Sequence, residues 1–334
     1  MVHGLLAIAF LVGCGGAAAS YDDGLDAPET GPRQRFQRCT GRPYAPAPDE
    51  GWRHDILTPI TRAAGEPHHA GKDIIARSGA TATLTAKLAY GTVSKDLEDE
   101  DVLVFLDDCA GWRSLGRATT DDDGRARIPA PVLPVGAYEV RFQVAGDRSV
   151  TSSVLWVLPA GTRFVVSDID ATLTKSDAAL FEQIFMGWVP DAYPMGAELM
   201  AAHAERGHVV MYLTGRPYWL SEMSRAWLDD KDFTPGPLRL TDSNQDILPT
   251  EGSVGAFKRA QIADLLDAGF VIDAAYGNAT TDISAYLGGG IDPERVWIIG
   301  AHAGEHGTQP VSETWSERAA AVAAAERVEQ PFDY

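Results

Sequence analysis

Two carboxylates, Asp168 and Asp170, stand at the end of a short unbroken apolar run, Phe164-Val165-Val166. Such a run reads as a strand buried on both faces. Two acids are not buried there without compensation, so the chain must be leaving the sheet at this point. Thr172 and Thr174 follow at once. Carboxylates and hydroxyls at the carboxyl end of a parallel strand suit a divalent cation and a phosphate. Three more pieces fall at comparable places: Leu213-Thr214-Gly215-Arg216-Pro217, then Lys258 in an early turn of its helix, then Gly277-Asn278-Ala279-Thr280-Thr281-Asp282. Alone, each has a bland explanation, since an Asp-x-Asp is most often a turn or a cap. Together they supply a nucleophile, a proton donor, a phosphate-binding hydroxyl, an ammonium and metal-binding oxygens.

The order and spacing of these pieces resemble the haloacid dehalogenase superfamily of phosphohydrolases. Within it, DIDATLTKSD with LTGRP and YGNATTDISAY is similar to the lipin-type or LNS2 domain, over roughly Arg163 to Gly300. That family comprises Mg-dependent phosphatidate phosphatases and related lipid-binding domains of phosphatidylinositol-transfer proteins. A sandwich feeding into VVSDID is similar to a further group of bacterial and fungal phosphatidate phosphatases. The resemblance implies Mg²⁺ as cofactor, bound by Asp168, the Asp170 carbonyl, Asn278, and Asp282 directly or through water. It implies Asp168 as nucleophile, forming an aspartyl-phosphate, and Asp170 as general acid and base. Thr214 and backbone N–H groups such as that of Gly215 would hold phosphate oxygens, with Lys258 neutralising them. Thr172 would fix the loop, and Arg216 would either reach substrate or pair with an acid at the surface. The chain departs from the family pattern at Ala171, where Gly is usual, and at Ala279, where Arg is common.

The implied reaction is hydrolysis of a lipid phosphate, most simply phosphatidate to diacylglycerol. Its rivals are a phosphatase for a soluble or protein-borne phosphate ester and a catalytically silent phospholipid-binding module. Only about twenty residues separate Thr174 from Pro194, too few for a large cap domain, so the site should be open. Phe181, Ile184, Phe185, Met186, Trp188, Val189 and Tyr193 lie near that opening. The first three repeat at helical spacing and suit core packing; Met186, Trp188 and Tyr193 could dip into lipid. His302 and His306 are separated by glycine-rich sequence and make a poor zinc pair.

The elements that must position these residues read as strand, helix, strand, helix from 160 to 305. Strands are expected at 164–167, 209–213, 238–240, 271–276 and 296–299, and helices at 178–185, 194–206, 218–228, 254–266 and 281–287. This is a Rossmann-like, doubly wound, mostly parallel α/β sheet without a large cap. A helical tail, 306–334, follows. Before it, 51–159 alternates as short strands, which suggests an immunoglobulin-like β-sandwich, with a hairpin at Asp121-Asp122-Asp123-Gly124.

Residues 15–50, rich in Gly, Pro, Asp and Ala, read as a flexible linker. Residues 1–14 read as a signal segment whose Leu11-Val12-Gly13-Cys14 resembles a bacterial lipoprotein processing box. Lipidation at Cys14 would make the chain an exported, membrane-anchored or periplasmic lipoprotein. In an oxidising compartment Cys39 and Cys109 could pair, or remain separate buried thiols. A phospholipid or membrane surface is the expected partner. The formal net charge of -19 argues against nucleic acid.

Overall fold

A computed structural model describes residues 36–56, 58–91, 94–175, 189–242, 251–329 and 331–332. All of them belong to one unit, Arg35–Tyr334. Cys14 and the leader, the 178–185 helix, and Phe181, Ile184, Phe185, Met186 and Trp188 lie outside the described residues.

The carboxyl-terminal part is a six-stranded parallel sheet in the order Leu238–Thr241, Val209–Pro217, Arg163–Ser167, Val271–Gly277, Val296–Ile299, Gln309–Val311. Alternation along the central strand explains the two-sided covering. Phe164 and Val166 face one layer, where Ile262, Leu265, Ile283 and Tyr286 of helices Glu251–Asp267 and Thr280–Gly288 pack. Val165 faces the other, against Leu199, Trp227 and Ala319 of helices Gly196–Glu205, Ser221–Asp230 and Ser316–Ala324. Phe164, Val165 and Val166 have no exposed surface, and each such side chain contributes about 1.5–3 kcal/mol of burial. The expected helix at 218–228 begins as a single 3₁₀ turn, Tyr218–Leu220, before Ser221. The last strand, Gln309–Val311, was hidden by Pro310, which an edge strand accommodates. It brings the start of the expected tail into the sheet.

The amino-terminal part is a β-sandwich. Its larger sheet centres on Gly136–Val144, antiparallel to Val150–Leu158 on one side and Asp101–Asp107 on the other. A three-stranded sheet of Ala70–Lys72, Thr83–Lys87 and Arg125–Pro129 faces it. Leu84, Val102, Leu106, Val140 and Phe142 fill the space between. The sequence around Asp121–Gly124 is a turn, but not of a paired hairpin. Strand Trp112–Thr119 pairs with Asp101–Asp107, and Arg125–Pro129 pairs with Thr83–Lys87, so the turn carries the chain between sheets. Alternation reads the same in both arrangements.

The expected linker ends earlier than residue 50. Gln37–Cys39 adds a parallel strand beside Gly136–Tyr138. Cys39 is buried and disulfide-bonded to Cys109, with Cα atoms 4.7 Å apart. Tyr44 Oη and the Ala47 N–H both donate to Gln143 Oε1 at 2.8 Å. These bonds hold a Pro-rich segment to the sheet that its composition alone leaves free.

The two parts share a core: Ala137, Trp156 and Leu158 of the sandwich join the layer that covers Phe164 and Val166. Asp73 ties them further. Its buried carboxylate accepts the N–H of Val154 at 2.8 Å, the N–H of Leu238 at 2.9 Å, and Arg225 Nη2 at 3.0 and 3.1 Å.

Candidate functional site

Asp168 ends the central strand with its N–H donating to the Tyr276 carbonyl, and its side chain is 4% exposed. Lys258 Nζ reaches between two carboxylates, donating to Asp168 Oδ1 and Asp282 Oδ1 at 2.6 Å each. Thr172 Oγ1 lies 3.1 Å from Asp168 Oδ2 and 3.2 Å from Asn278 Oδ1, so these two oxygens flank one hydroxyl. Five residues drawn from three stretches of the chain thus meet at the carboxyl rim of the sheet.

Asp170 is gripped from another side. Arg216 donates to its carboxylate from Nε at 3.2 and 3.0 Å and from Nη2 at 2.8 Å, and Thr214 Oγ1 donates at 3.1 Å. Arg216 is itself 1% exposed, with Nη1 donating to Ser224 Oγ at 2.9 Å. Of the two arrangements expected for it, the structure shows the pairing with an acid, but as a buried clamp rather than at the surface. A planar guanidinium on a carboxylate in this side-on manner is the strongest pairing such groups make. Thr214, expected to hold phosphate, is fully buried and spends its hydroxyl on Asp170 and on the Arg216 N–H. Gly215 carries no such load, but a Cβ there would stand 3.0 Å from Val254.

Asp282 is not a free ligand. Oδ1 takes Lys258, while Oδ2 accepts the N–H groups of Asn278 and Ala279 at 3.0 and 3.1 Å. It caps its helix from the third position and shapes the loop that presents Asn278. Gly277 is required below it, because a Cβ would sit 2.6 Å from the Asp282 side chain. Ala171 adopts φ 52°, the left-handed region where glycine is at ease and a methyl costs energy. That is the conformation the usual glycine would serve.

Burial drives the Asp168 carboxyl upward, to about 7, with Lys258 opposing and the charges of Asp282 and Asp170 adding to the rise. Burial also works against the Lys258 ammonium, but Asp168 and Asp282 outweigh it and hold it charged. Three carboxylates, Asp168, Asp170 and Asp282, thus face two cations, Lys258 and Arg216. The surplus is negative and the donors nearest it are oxygens, a set that suits a hard divalent cation. No group of three or more His, Cys, Asp or Glu converges as a metal cage among the described residues. Any cation here would draw on Asn278 and a backbone carbonyl as well as Asp168.

Sequence reasoning missed the supports. Trp315, at the start of helix Ser316–Ala324, donates its indole N–H to the Thr172 carbonyl at 2.9 Å and pins the loop. The turn after Arg216 is held by the sandwich: Tyr218 Oη bonds Ser94 Oγ, and Trp219 stacks on His68 at 5.6 Å. Tyr193 is half-buried against the helix layer rather than projecting, while Val189 is exposed.

Residues 165–300 match the LNS2 domain of PITM 1-3, and residues 67–157 match the β-sandwich domain of PITM 1-3. Membrane-associated phosphatidylinositol transfer protein 3 of Mus musculus is 30% identical over 271 residues, 78% of this chain and 26% of that protein. Membrane-associated phosphatidylinositol transfer protein 1 of Rattus norvegicus is 27% identical over 77% of this chain and 20% of its own length. Protein retinal degeneration B of Drosophila melanogaster is 29% identical over 70% of this chain and 18% of its own length. The chain spans about a quarter or less of these relatives. A crystal structure described as that of a HAD-like phosphatase from Mesorhizobium loti covers 50% of this chain and 86% of its own at 12% identity, with a TM-score of 0.35.

These matches correct two expectations. The LNS2 resemblance stands, but the matched LNS2 and β-sandwich domains are those of PITM 1-3 and not of a haloacid dehalogenase phosphatase behind a bacterial lipoprotein leader. An exported, periplasmic or lipid-anchored bacterial location falls with it, since the relatives are membrane-associated transfer proteins of animals. The fold is a mixed α/β domain with a parallel sheet behind a β-sandwich, and the two adjacent matches make these domains similar to the LNS2 and β-sandwich domains of PITM 1-3.

Proposed function

We propose that this chain binds phospholipid surfaces by taking a phosphomonoester headgroup at the carboxyl rim of the parallel sheet, with Mg²⁺ as the bridging cation. The observation that carries the reading is the state of Asp170. Its carboxylate is filled by three hydrogen-bond contacts from a buried arginine and one from Thr214. A group so held grips its neighbours and is poorly placed to deliver a proton. The surplus negative charge around Asp168 supports a divalent cation, which would neutralise both that surplus and the headgroup. Asp168, Asn278 and the Asp170 carbonyl would hold it, and Lys258 would add an ammonium beside the phosphate. The names of the relatives, which include phosphatidylinositol transfer and membrane association, support a phospholipid as the bearer of that phosphate.

A second reading is favoured by the gathering of Asp168, Asp170 and Lys258 at one rim. In it the site hydrolyses the phosphomonoester. An Asp168 oxygen would form a bond to phosphorus as the ester P–O bond breaks, and the leaving alkoxide would take a proton from Asp170. Water would then cleave the aspartyl-phosphate. This requires Asp170 to leave Arg216 first. The two readings also differ from action on a soluble or protein-borne phosphate ester, which needs no bilayer.

The test is co-sedimentation with phosphatidylcholine vesicles containing phosphatidate, with Mg²⁺ or with EDTA, and with inorganic phosphate measured in the same tubes. Binding that needs phosphatidate and Mg²⁺, without phosphate release, is expected. Steady release that Asp168→Asn abolishes would replace the binding reading with the hydrolytic one. Equal release from soluble esters would move the substrate off the membrane, and neither binding nor release would sink both readings.

A further inference from the structure

We propose a second binding site, for a small anionic amphiphile, in the cleft between the sandwich and the α/β domain. A cavity of about 440 Å³ lies there, within the range of pockets that hold small molecules and at the kind of place they favour, a domain junction. One wall is the outer face of the larger sandwich sheet, carrying Glu139, Arg141, Val154 and Trp156. The other is Leu228 and Asp229, ending helix Ser221–Asp230, and the segment Phe233 to Gly236.

The indole of Trp156 is the first sign of a ligand. It is 3% exposed, and its Nε1 has no acceptor among the described residues. Other indoles of the chain do find one: Trp112, Trp227 and Trp315 each donate to a backbone carbonyl at 2.9 Å. Arg141 Nε, buried in the same wall, is likewise without an acceptor. Both groups can only donate, and leaving a buried donor unmet costs about 1–3 kcal/mol. Two donors on one wall call for a ligand whose head carries acceptor oxygens.

Charge points the same way. Arg38, Arg141 and Arg225 line the cavity beside Glu139 and Asp229, in a chain of net charge -19. Arg141 is paired to Glu139 and Arg225 to Asp73, while Arg38, exposed, makes no ion pair with a described residue. Val154, Leu228, Phe233 and Pro235 offer an apolar wall beside these heads. A carboxylate or a phosphate monoester on a short hydrocarbon body meets all three features.

The site is separate from the rim of the sheet. Phe233 to Gly236 precede the strand Leu238–Thr241, so the cavity lies toward the amino ends of parallel strands whose carboxyl ends carry Asp168 and Asp170. A headgroup held at the rim leaves the cleft untouched.

The test is calorimetric titration of the full chain with dodecanoate and with dodecyl phosphate, each below its micellar concentration and with EDTA present, which removes any Mg²⁺-dependent binding at the rim. Saturable one-to-one binding of at least one amphiphile is expected, and the arm that binds identifies the head. Trp156→Phe, which removes the N–H and keeps an aromatic ring, should weaken it at least fivefold, and Arg141→Met likewise. Thermal unfolding reports whether each variant is folded; if Trp156→Phe is not, Arg141→Met decides. Absence of saturable binding by both amphiphiles, or wild-type affinity in the folded variants, would overturn the proposal.

Discussion

Lys258→Met is the sharpest probe of the rim. Lys258 is 3% exposed, and its ammonium makes two bonds of 2.6 Å, to Asp168 and to Asp282. Both acceptors are buried, at 4% and 1%. Methionine keeps the length and apolar volume of the stem but removes the only cation between them. Two carboxylates would then face one another out of water, with Thr172 and backbone N–H groups as their remaining partners. Breaking a buried pair by removing one partner costs about 3–5 kcal/mol. The assay is equilibrium urea unfolding followed by tryptophan fluorescence, run with EDTA and again with millimolar Mg²⁺. A loss in that range with EDTA is expected, and Mg²⁺ should return a larger part of it to the variant than it adds to wild type, since a bound ion stabilises by mass action. A loss under about 1 kcal/mol would refute the claim that Lys258 is what makes the buried acids tolerable. A full loss that Mg²⁺ leaves unchanged would refute the placement of the cation beside Asp168.

Asp73→Ala should cost about 3–5 kcal/mol in the same assay, because it orphans the Val154 and Leu238 amides and the Arg225 guanidinium together; Asp73→Asn should cost less, and equal losses would show that its charge contributes nothing. Ala171→Gly should raise stability by about 0.5–1 kcal/mol by relieving φ 52°, read as a small rise in Tm. The part of the stability that depends on His69 should fall as pH is lowered from about 6.5 to 4, while Asp168, its carboxyl raised to about 7, contributes in the opposite sense over the same interval. Burial pushes His69 down to about 4, with Asp147 and the hydrogen bond at Ala89 opposing, so the unfolded chain takes up the proton first and the stability present above 6.5 is lost, about 3 kcal/mol in all. His69→Gln should remove that contribution, so the stability difference between wild type and variant should shrink as pH falls through the interval, which pH-dependent unfolding of both would show. Asp273 adds a second decline, from about 4 toward 2: burial would raise its carboxyl, but hydrogen bonds from His208 and Arg163 outweigh it and hold it at about 2.

Much of the architecture was written locally. The run Phe164-Val165-Val166 needed no partner to read as a two-sided buried strand, and the later strands and helices among the described residues followed from the same periods. So did the rim, because parallel strands carry their following loops to one edge, where Asp168, Thr214, Lys258 and Asn278 had to meet. Even the departure at Ala171 fell on a residue whose backbone is left-handed. Elements that depend on distant pairing were not legible in this way. Gln309–Val311 holds a proline and looks like loop until an edge strand receives it. Gln37–Cys39 looks like tether until Gly136–Tyr138 and Cys109 bind it.

The sequence by itself determined which chemical groups reach the rim. Only the tertiary structure decided which of their atoms are already spent. Arg216 meets Asp170 across 46 residues, Lys258 meets Asp168 across 90, and Asp73 meets the Leu238 amide across 165. Composition and period carry no record of such pairings, because hydrogen bonds saturate: a donor satisfied by one acceptor is lost to every other. That saturation made Arg216, expected either to reach substrate or to pair with an acid, a clamp on Asp170, committed the Asp282 carboxylate to Lys258 and a helix cap, and left Trp156 and Arg141 with donors still to fill.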